Sequence, residues 1–186
     1  MADNLGNAFT IFGLEPVFNI DIADLERRYL ELQVTHHPDR FAVQSIDKRQ
    51  AATEKASAIN EAYRQLRSPF ERAKLLIMMA YSTKTTLSNA VHFDPLASNL
   101  PLPPDFLLEQ MEQRELLEDA KLIQDSDALQ GLRQTWQQQA DILWQSIEDA
   151  LDEKHDYESA ALYLRLLKFV MTQLDALDET LFEWSL

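Results

Sequence analysis

The stretch ADLERRYLELQVTHHPDRF, residues 23–41, decides how the rest of the chain is read. Leu25, Tyr29 and Leu32 recur at the spacing that lines up side chains on one face of an α-helix. Asp21, just upstream, is a good N-cap for that helix. Pro38 ends it, because the proline ring disfavours helical geometry in the residue before it. A loop from His37 to about Gln44 follows. A second long helix is expected from near Ser45, with Ala52, Ala56, Ile59, Tyr63 and Leu66 on its apolar side. Ser68, Pro69 and Glu71 then give an N-cap, a proline at the first helical position and a glutamate at the third, so a new helix starts there and runs through ERAKLLIMMA.

Outward from this hairpin the composition agrees. The chain has 186 residues, and its 46% apolar content is enough for a packed core. Only three glycines occur, and turn clusters at strand spacing are missing, which points to an all-α protein. Cysteine is absent, which rules out disulfides and thiolate metal sites. The N-terminal residues lack the basic and apolar regions of a secretory signal, and the most apolar run, Leu75 to Ala80, is too short to span a bilayer. A cytoplasmic protein is expected.

The formal charge of −14 is unevenly placed. Residues 1–80 carry 11 acidic and 10 basic side chains, whereas residues 81–186 carry 20 and 7. Two units with different partners follow from that split. So acidic a surface repels phosphate backbones and anionic lipid, so neither nucleic acid nor a membrane is an expected partner. Residues 81–104, rich in Ser, Thr and Asn and carrying Pro95, Pro101, Pro103 and Pro104, read as a stiffened spacer. Residues 105–186 read as three helices, over 105–123, 126–151 and 157–182, whose short connections predict an antiparallel bundle.

The first of these helices has two apolar sides. Phe106, Leu116, Leu117, Ala120 and Ile123 gather on one and are expected to face the bundle. Leu107, Leu108, Met111 and Leu122 gather on a second, with Glu115, Glu118 and Asp119 among or beside them. A helix packed once needs a single apolar stripe, and interleaved carboxylates argue against deep burial of the other. Phe169 raises the same question on the last helix, where it shares a face with Leu162, Arg165 and Thr172 and not with the Tyr163, Leu167 and Leu174 side.

These segments resemble the HscB-type J-domain co-chaperones. AFTIFGL (8–14) is similar to the family's short opening helix. YLELQVTHHPDRF (29–41) resembles its second helix and His-Pro-Asp signature, and AINEAYRQLRSPFERA (58–73) its third helix and the turn into the fourth. FLLEQMEQRELLED (106–119) resembles the start of the HscB C-terminal bundle. The resemblance implies an N-terminal J-domain over residues 1–80, a helical hairpin with short flanking helices. The Pro-containing linker over 81–104 and the three-helix bundle over 105–186 would follow it.

It further implies a non-catalytic co-chaperone without cofactor. The chain would bind the iron–sulfur scaffold IscU and deliver it to an HscA/DnaK-type ATPase chaperone, stimulating hydrolysis. His37, Pro38 and Asp39, with Arg27, Arg28 and Arg40, match the family's chaperone contacts. Proline stiffens that loop, and the histidine and aspartate offer a donor and an acceptor. Leu107, Leu108, Met111, Glu112, Glu115, Asp119 and Phe169 match its scaffold contacts. Leu30, Glu31 and Thr35 stand where many J-domains are basic, which weakens steering to a generic DnaK and favours a specialised chaperone.

The same residues admit three other readings: a general J-domain co-chaperone for unfolded clients, an enzyme using His37 and Asp39 as an acid–base pair, and a helical dimer closed through the second stripe. No phosphate-binding glycine loop or nucleophile turn supports catalysis. His36 and His37 are adjacent and lack further ligands at useful spacing, so no metal site is expected. The sequence leaves the oligomeric state open, a monomer included.

Overall fold

The computed structural model describes residues 7–36, 45–84, 94–97 and 101–184. Among these residues all regular structure is helical, as expected. The elements are α1 (Ala8–Phe12), α2 (Ile22–His36), α3 (Ile46–Arg67), α4 (Pro69–Lys84), α5 (Pro104–Leu122), α6 (Ser126–Glu148), a π-helical turn (Asp149–Glu153) and α7 (Tyr157–Trp184). The chain forms two compact units, Met1–Met79 and Ala80–Leu186.

In the first unit α1 is too short to hold itself together, since a single helical turn does not repay its nucleation. Its ends are fastened instead. Asn7 Oδ1 accepts from the Thr10 amide at 3.0 Å, and Gly13 closes the helix at φ 60°, a left-handed conformation that suits glycine. Arg28 on α2 donates to the carbonyl oxygens of Phe12 at 2.8 Å and Gly13 at 2.9 Å, which fixes α1 to α2. The Asp21 carboxylate caps α2, accepting from the Ala23 and Asp24 amides at 2.9 and 3.2 Å.

Helices α2 and α3 form the expected antiparallel hairpin. Tyr29 stacks on Tyr63 with ring centroids 4.0 Å apart, its hydroxyl donates to Asn60 Oδ1 at 3.1 Å, and Gln33 donates to the same oxygen. Phe9, Leu25, Ile59, Leu66, Ala73 and Ile77 are buried and make up the centre of the unit. The Ser68 hydroxyl accepts from the Glu71 amide at 3.4 Å and caps α4. Behind it, buried Arg72 donates to the Leu66 carbonyl and lies over the Phe18 ring at 5.2 Å. α4 runs on to Lys84, so residues 81–84, read as spacer, are helical. Neither Gly nor Pro interrupts the chain there, and nothing stops propagation.

In the second unit α5, α6 and α7 form the bundle. Proline at position 104 opens α5, where its missing N–H costs nothing. Leu129, Leu132, Trp136, Ala140, Leu143 and Ile147 of α6 are buried, as are Leu164, Leu167, Val170, Leu174 and Leu177 of α7. Their three- and four-residue spacing is the seam of an antiparallel helix pair. α6 does not continue regularly to Leu151 as expected. It widens into the π turn, which buries Ala150 and Leu151 side by side. His155 then turns the chain at φ 52°, its Nδ1 hydrogen-bonded to the Leu151 carbonyl at 2.9 Å.

The inward face of α5 also departs from expectation. Leu116 and Ile123 are 58% and 71% exposed. The buried positions are Gln110, Gln113 and Ala120, with Phe106 and Leu117 half-buried. They repeat at intervals of four and three, a regular heptad seam whose second and third members are amides. Phe106, Leu117 and Ala120 keep the expected side, and Gln110 and Gln113 take inward places that Leu116 and Ile123 do not.

Candidate functional site

Once α5 is oriented by Gln110, Gln113 and Ala120, its other face lies open. Leu107, Leu108 and Met111 are 43%, 59% and 63% exposed, and Glu112, Glu115 and Asp119 are exposed around them. Leu107 and Met111 lie one turn apart on the same side, with Leu108 beside them. Phe169 on α7 is 37% exposed, and its ring meets that of Phe106 edge-on at 5.6 Å. The aromatic is therefore held at the start of α5, next to the residue that precedes Leu107. Leu122, from the same expected stripe, is exposed three turns further along.

Three side chains that sequence reasoning did not single out hold this arrangement. Gln173 Nε2 donates to Gln110 Oε1 at 3.1 Å, tying α7 to α5 one turn beyond the Phe106–Phe169 contact. Gln113 accepts from the indole N–H of fully buried Trp136 on α6 and donates to Glu109 Oε1 at 3.1 Å. The signal that could have found Gln110 and Gln113 is the four-three spacing of positions 106, 110, 113, 117 and 120, read without regard to polarity.

On the hairpin unit, His37, Pro38, Asp39 and Arg40 lie outside the described residues. Arg27 and Arg28 are adjacent on α2 but differently engaged. Exposed Arg27 pairs with Asp24 at 2.5 Å and Glu31 at 2.7 Å. The hydrogen bonds from Arg27 and then Arg28 hold the Asp24 carboxyl below its ordinary pKa. Arg28 is occupied by Asp24 at 2.7 Å and by the end of α1. Arg27 is the more available of the two to a partner. Leu30 and Val34 are exposed on the same helix. Among the described residues no helix is long and apolar enough to cross a membrane.

A hairpin unit with short α1 docked beside it, followed by an acidic three-helix bundle with an open apolar face, is the architecture of a J-domain co-chaperone with a C-terminal helical domain. Residues 102–178 match the family of the HSCB C-terminal oligomerisation domain. A co-chaperone protein HscB homolog of Bordetella pertussis is 36% identical over 162 residues, 87% of this chain and 88% of that one. The homolog of Azoarcus is 33% identical over 93% of this chain and 92% of its own length. The chaperone HscB from Vibrio cholerae superposes with a TM-score of 0.75 at 29% identity, covering 96% of this chain and 99% of that one. Human co-chaperone protein HscB, 20% identical, shares the fold with a TM-score of 0.77 over 96% of this chain and 83% of its own. The chain belongs to the HscB co-chaperone family. It is a co-chaperone and not an enzyme.

Proposed function

We propose that this co-chaperone binds the iron–sulfur scaffold IscU through its second unit and delivers it to an HscA/DnaK-type chaperone, whose ATPase it stimulates during cluster assembly in the cytoplasm. The observation that carries the proposal is the open face of α5, where Leu107, Leu108 and Met111 stand free within a rim of Glu112, Glu115 and Asp119, near Phe169. A small apolar centre ringed by charge is the usual composition of a binding hot spot. The carboxylates favour a client with basic residues around its own apolar contact. In this reading residues 1–80 are the J-domain, the segment between α4 and α5 is the linker, and the bundle of α5, α6 and α7 binds the client. His37, Pro38 and Asp39, helped by Arg27, Arg28 and Arg40, engage the chaperone. Joining both contacts in one chain raises the local concentration of client at the chaperone.

Two measurements test it. Changing Leu107 and Phe169 together to Ala is expected to weaken scaffold binding by calorimetry at least tenfold, the scale of losing one hot spot; wild-type affinity in a folded variant refutes the client site. His37→Gln is expected to abolish stimulation of chaperone ATP turnover, and full stimulation refutes the role of the loop. The alternative, a general co-chaperone for unfolded clients, would show comparable affinity for unrelated denatured proteins. The carboxylate rim favours the single scaffold.

A further inference from the structure

Helices α5 and α7 run parallel, and two pairs of side chains join them at one sequence offset. Phe106 meets Phe169, and one turn further Gln110 meets Gln173. Gln110 is an unfavourable choice for packing alone. It is 4% exposed in a bundle whose interior is apolar apart from it and Gln113 among the described residues, and its Nε2 is buried with no hydrogen-bond partner among them. An apolar residue of similar size avoids that unmet donor.

The amide supplies direction that leucine cannot. α5 carries large apolar side chains on its outside as well: Leu107, Leu108, Met111, Leu116 and Leu122 are all exposed. Hydrophobicity therefore does not decide which face turns inward. A slip of one residue rotates a helix by about 100° and would carry Leu107 or Met111 into the bundle. The pairing of buried Gln110 with half-buried Gln173 resists that slip, because in any other register the enclosed Gln110 carbonyl loses its donor.

We infer that Gln110, paired with Gln173, is a positioning residue that fixes the rotation and register of α5 and so keeps Leu107, Leu108 and Met111 outward beside Phe169. The inference rests on the client role proposed for that face.

The chain contains no cysteine, so cysteines introduced at exposed Arg114 and Asp175 take spin labels selectively. In the labelled full-length protein, Gln110→Leu with Gln173→Leu is expected to remain folded, with a denaturation midpoint equal to wild type or higher. Its α5–α7 distance distribution should broaden, and scaffold affinity should fall about tenfold, as when the competent arrangement drops to a tenth of the population. Gln173→Glu, which offers the Gln110 amide an acceptor, should keep the narrow distribution. A narrow distribution in the double variant overturns the inference whatever the affinity, and a broad one with wild-type affinity overturns its link to the client. If the double variant fails to fold, Gln173→Leu alone carries the same readouts. Should the Leu107 and Phe169 alanine variant bind scaffold normally, the client reading fails by itself, while the distance distribution still tests the register.

Discussion

Arg28→Ala should distinguish a folding role from a chaperone contact on α2. The guanidinium reaches the carbonyl oxygens of Phe12 and Gly13 at 2.8 and 2.9 Å, and Phe12 is buried. A hydrogen bond from a charged donor contributes about 1.5–3 kcal/mol when well sheltered. Solvent reaches 33% of the Arg28 side chain, and Gly13 is exposed, so the low end applies to the first bond and a small part of that to the second. With the packing of the aliphatic stem included, the expected loss is about 2 kcal/mol. Urea unfolding followed by far-UV circular dichroism measures it. For a small domain with a slope of about 1–2 kcal/mol per molar urea, the midpoint should fall by about 1–2 M. The three tryptophans, Trp136, Trp144 and Trp184, all lie in Ala80–Leu186, so their fluorescence reports on the other unit. Arg27→Ala, which removes only exposed ion pairs, should lower the midpoint far less than Arg28→Ala and still lower chaperone stimulation. An Arg28→Ala midpoint indistinguishable from that of Arg27→Ala refutes the reasoning.

Gly131 lies exposed inside α6 with open space where a Cβ would stand, so Gly131→Ala should stabilise the protein by about 0.5–1 kcal/mol in the same titration; destabilisation would count against the helix assignment. Gln113→Leu strands the buried indole N–H of Trp136 and should cost about 1–3 kcal/mol. A double-mutant cycle with Trp136→Phe should return clear coupling, and additivity would remove that bond. The carboxyls of Asp24, Glu61 and Asp156 are held below their ordinary pKa, chiefly by hydrogen bonds from Arg27, Arg64 and Ser159 respectively. Because their folded values lie below the unfolded ones, this stabilisation is present above the ordinary carboxylate range and disappears as pH falls through the folded values. The urea midpoint should therefore be steady above about pH 5 and drop below about pH 4; a midpoint constant to pH 2.5 excludes the effect.

The parts of this fold that could be read from sequence are those where local chemistry and packing agree. Asp21 and Ser68 are caps by residue type, and each side chain accepts from an amide of the helix it opens. Leu25, Ile59 and Leu66 are apolar at helical spacing, and each is buried. Reading failed where the two disagree. Gln110 and Gln113 are polar yet buried, so the wheel of α5 chose Leu116 and Ile123 instead. The exposed stripe was found because Leu107, Leu108 and Met111 are apolar beside carboxylates, a conflict that sequence displays directly. Helix ends were hidden for a different reason. Gln124 and His155 take the positive φ usually left to glycine, at 55° and 52°, so no glycine marks those turns. Arg28 could be seen as a cation, but its acceptors are carbonyl oxygens 15 and 16 residues away, which no local pattern announces.

The π turn at Asp149–Glu153 has a bearing on how this hairpin tolerates change. Such a turn accommodates one surplus residue within an otherwise regular coil. The azimuth at which α7 begins is thus governed by a count of residues more than by their character. Trimming one position after that turn, between Lys154 and Asp156, would keep every apolar side chain of α7 and still present Leu164 and Leu167 at the wrong angle, whereas trimming the surplus residue within the turn restores a regular helix. Swaps are mild at exposed Glu153 and Lys154 and costly at buried Ala150 and Leu151, and a change of length in the turn that follows is costly whichever residue is lost.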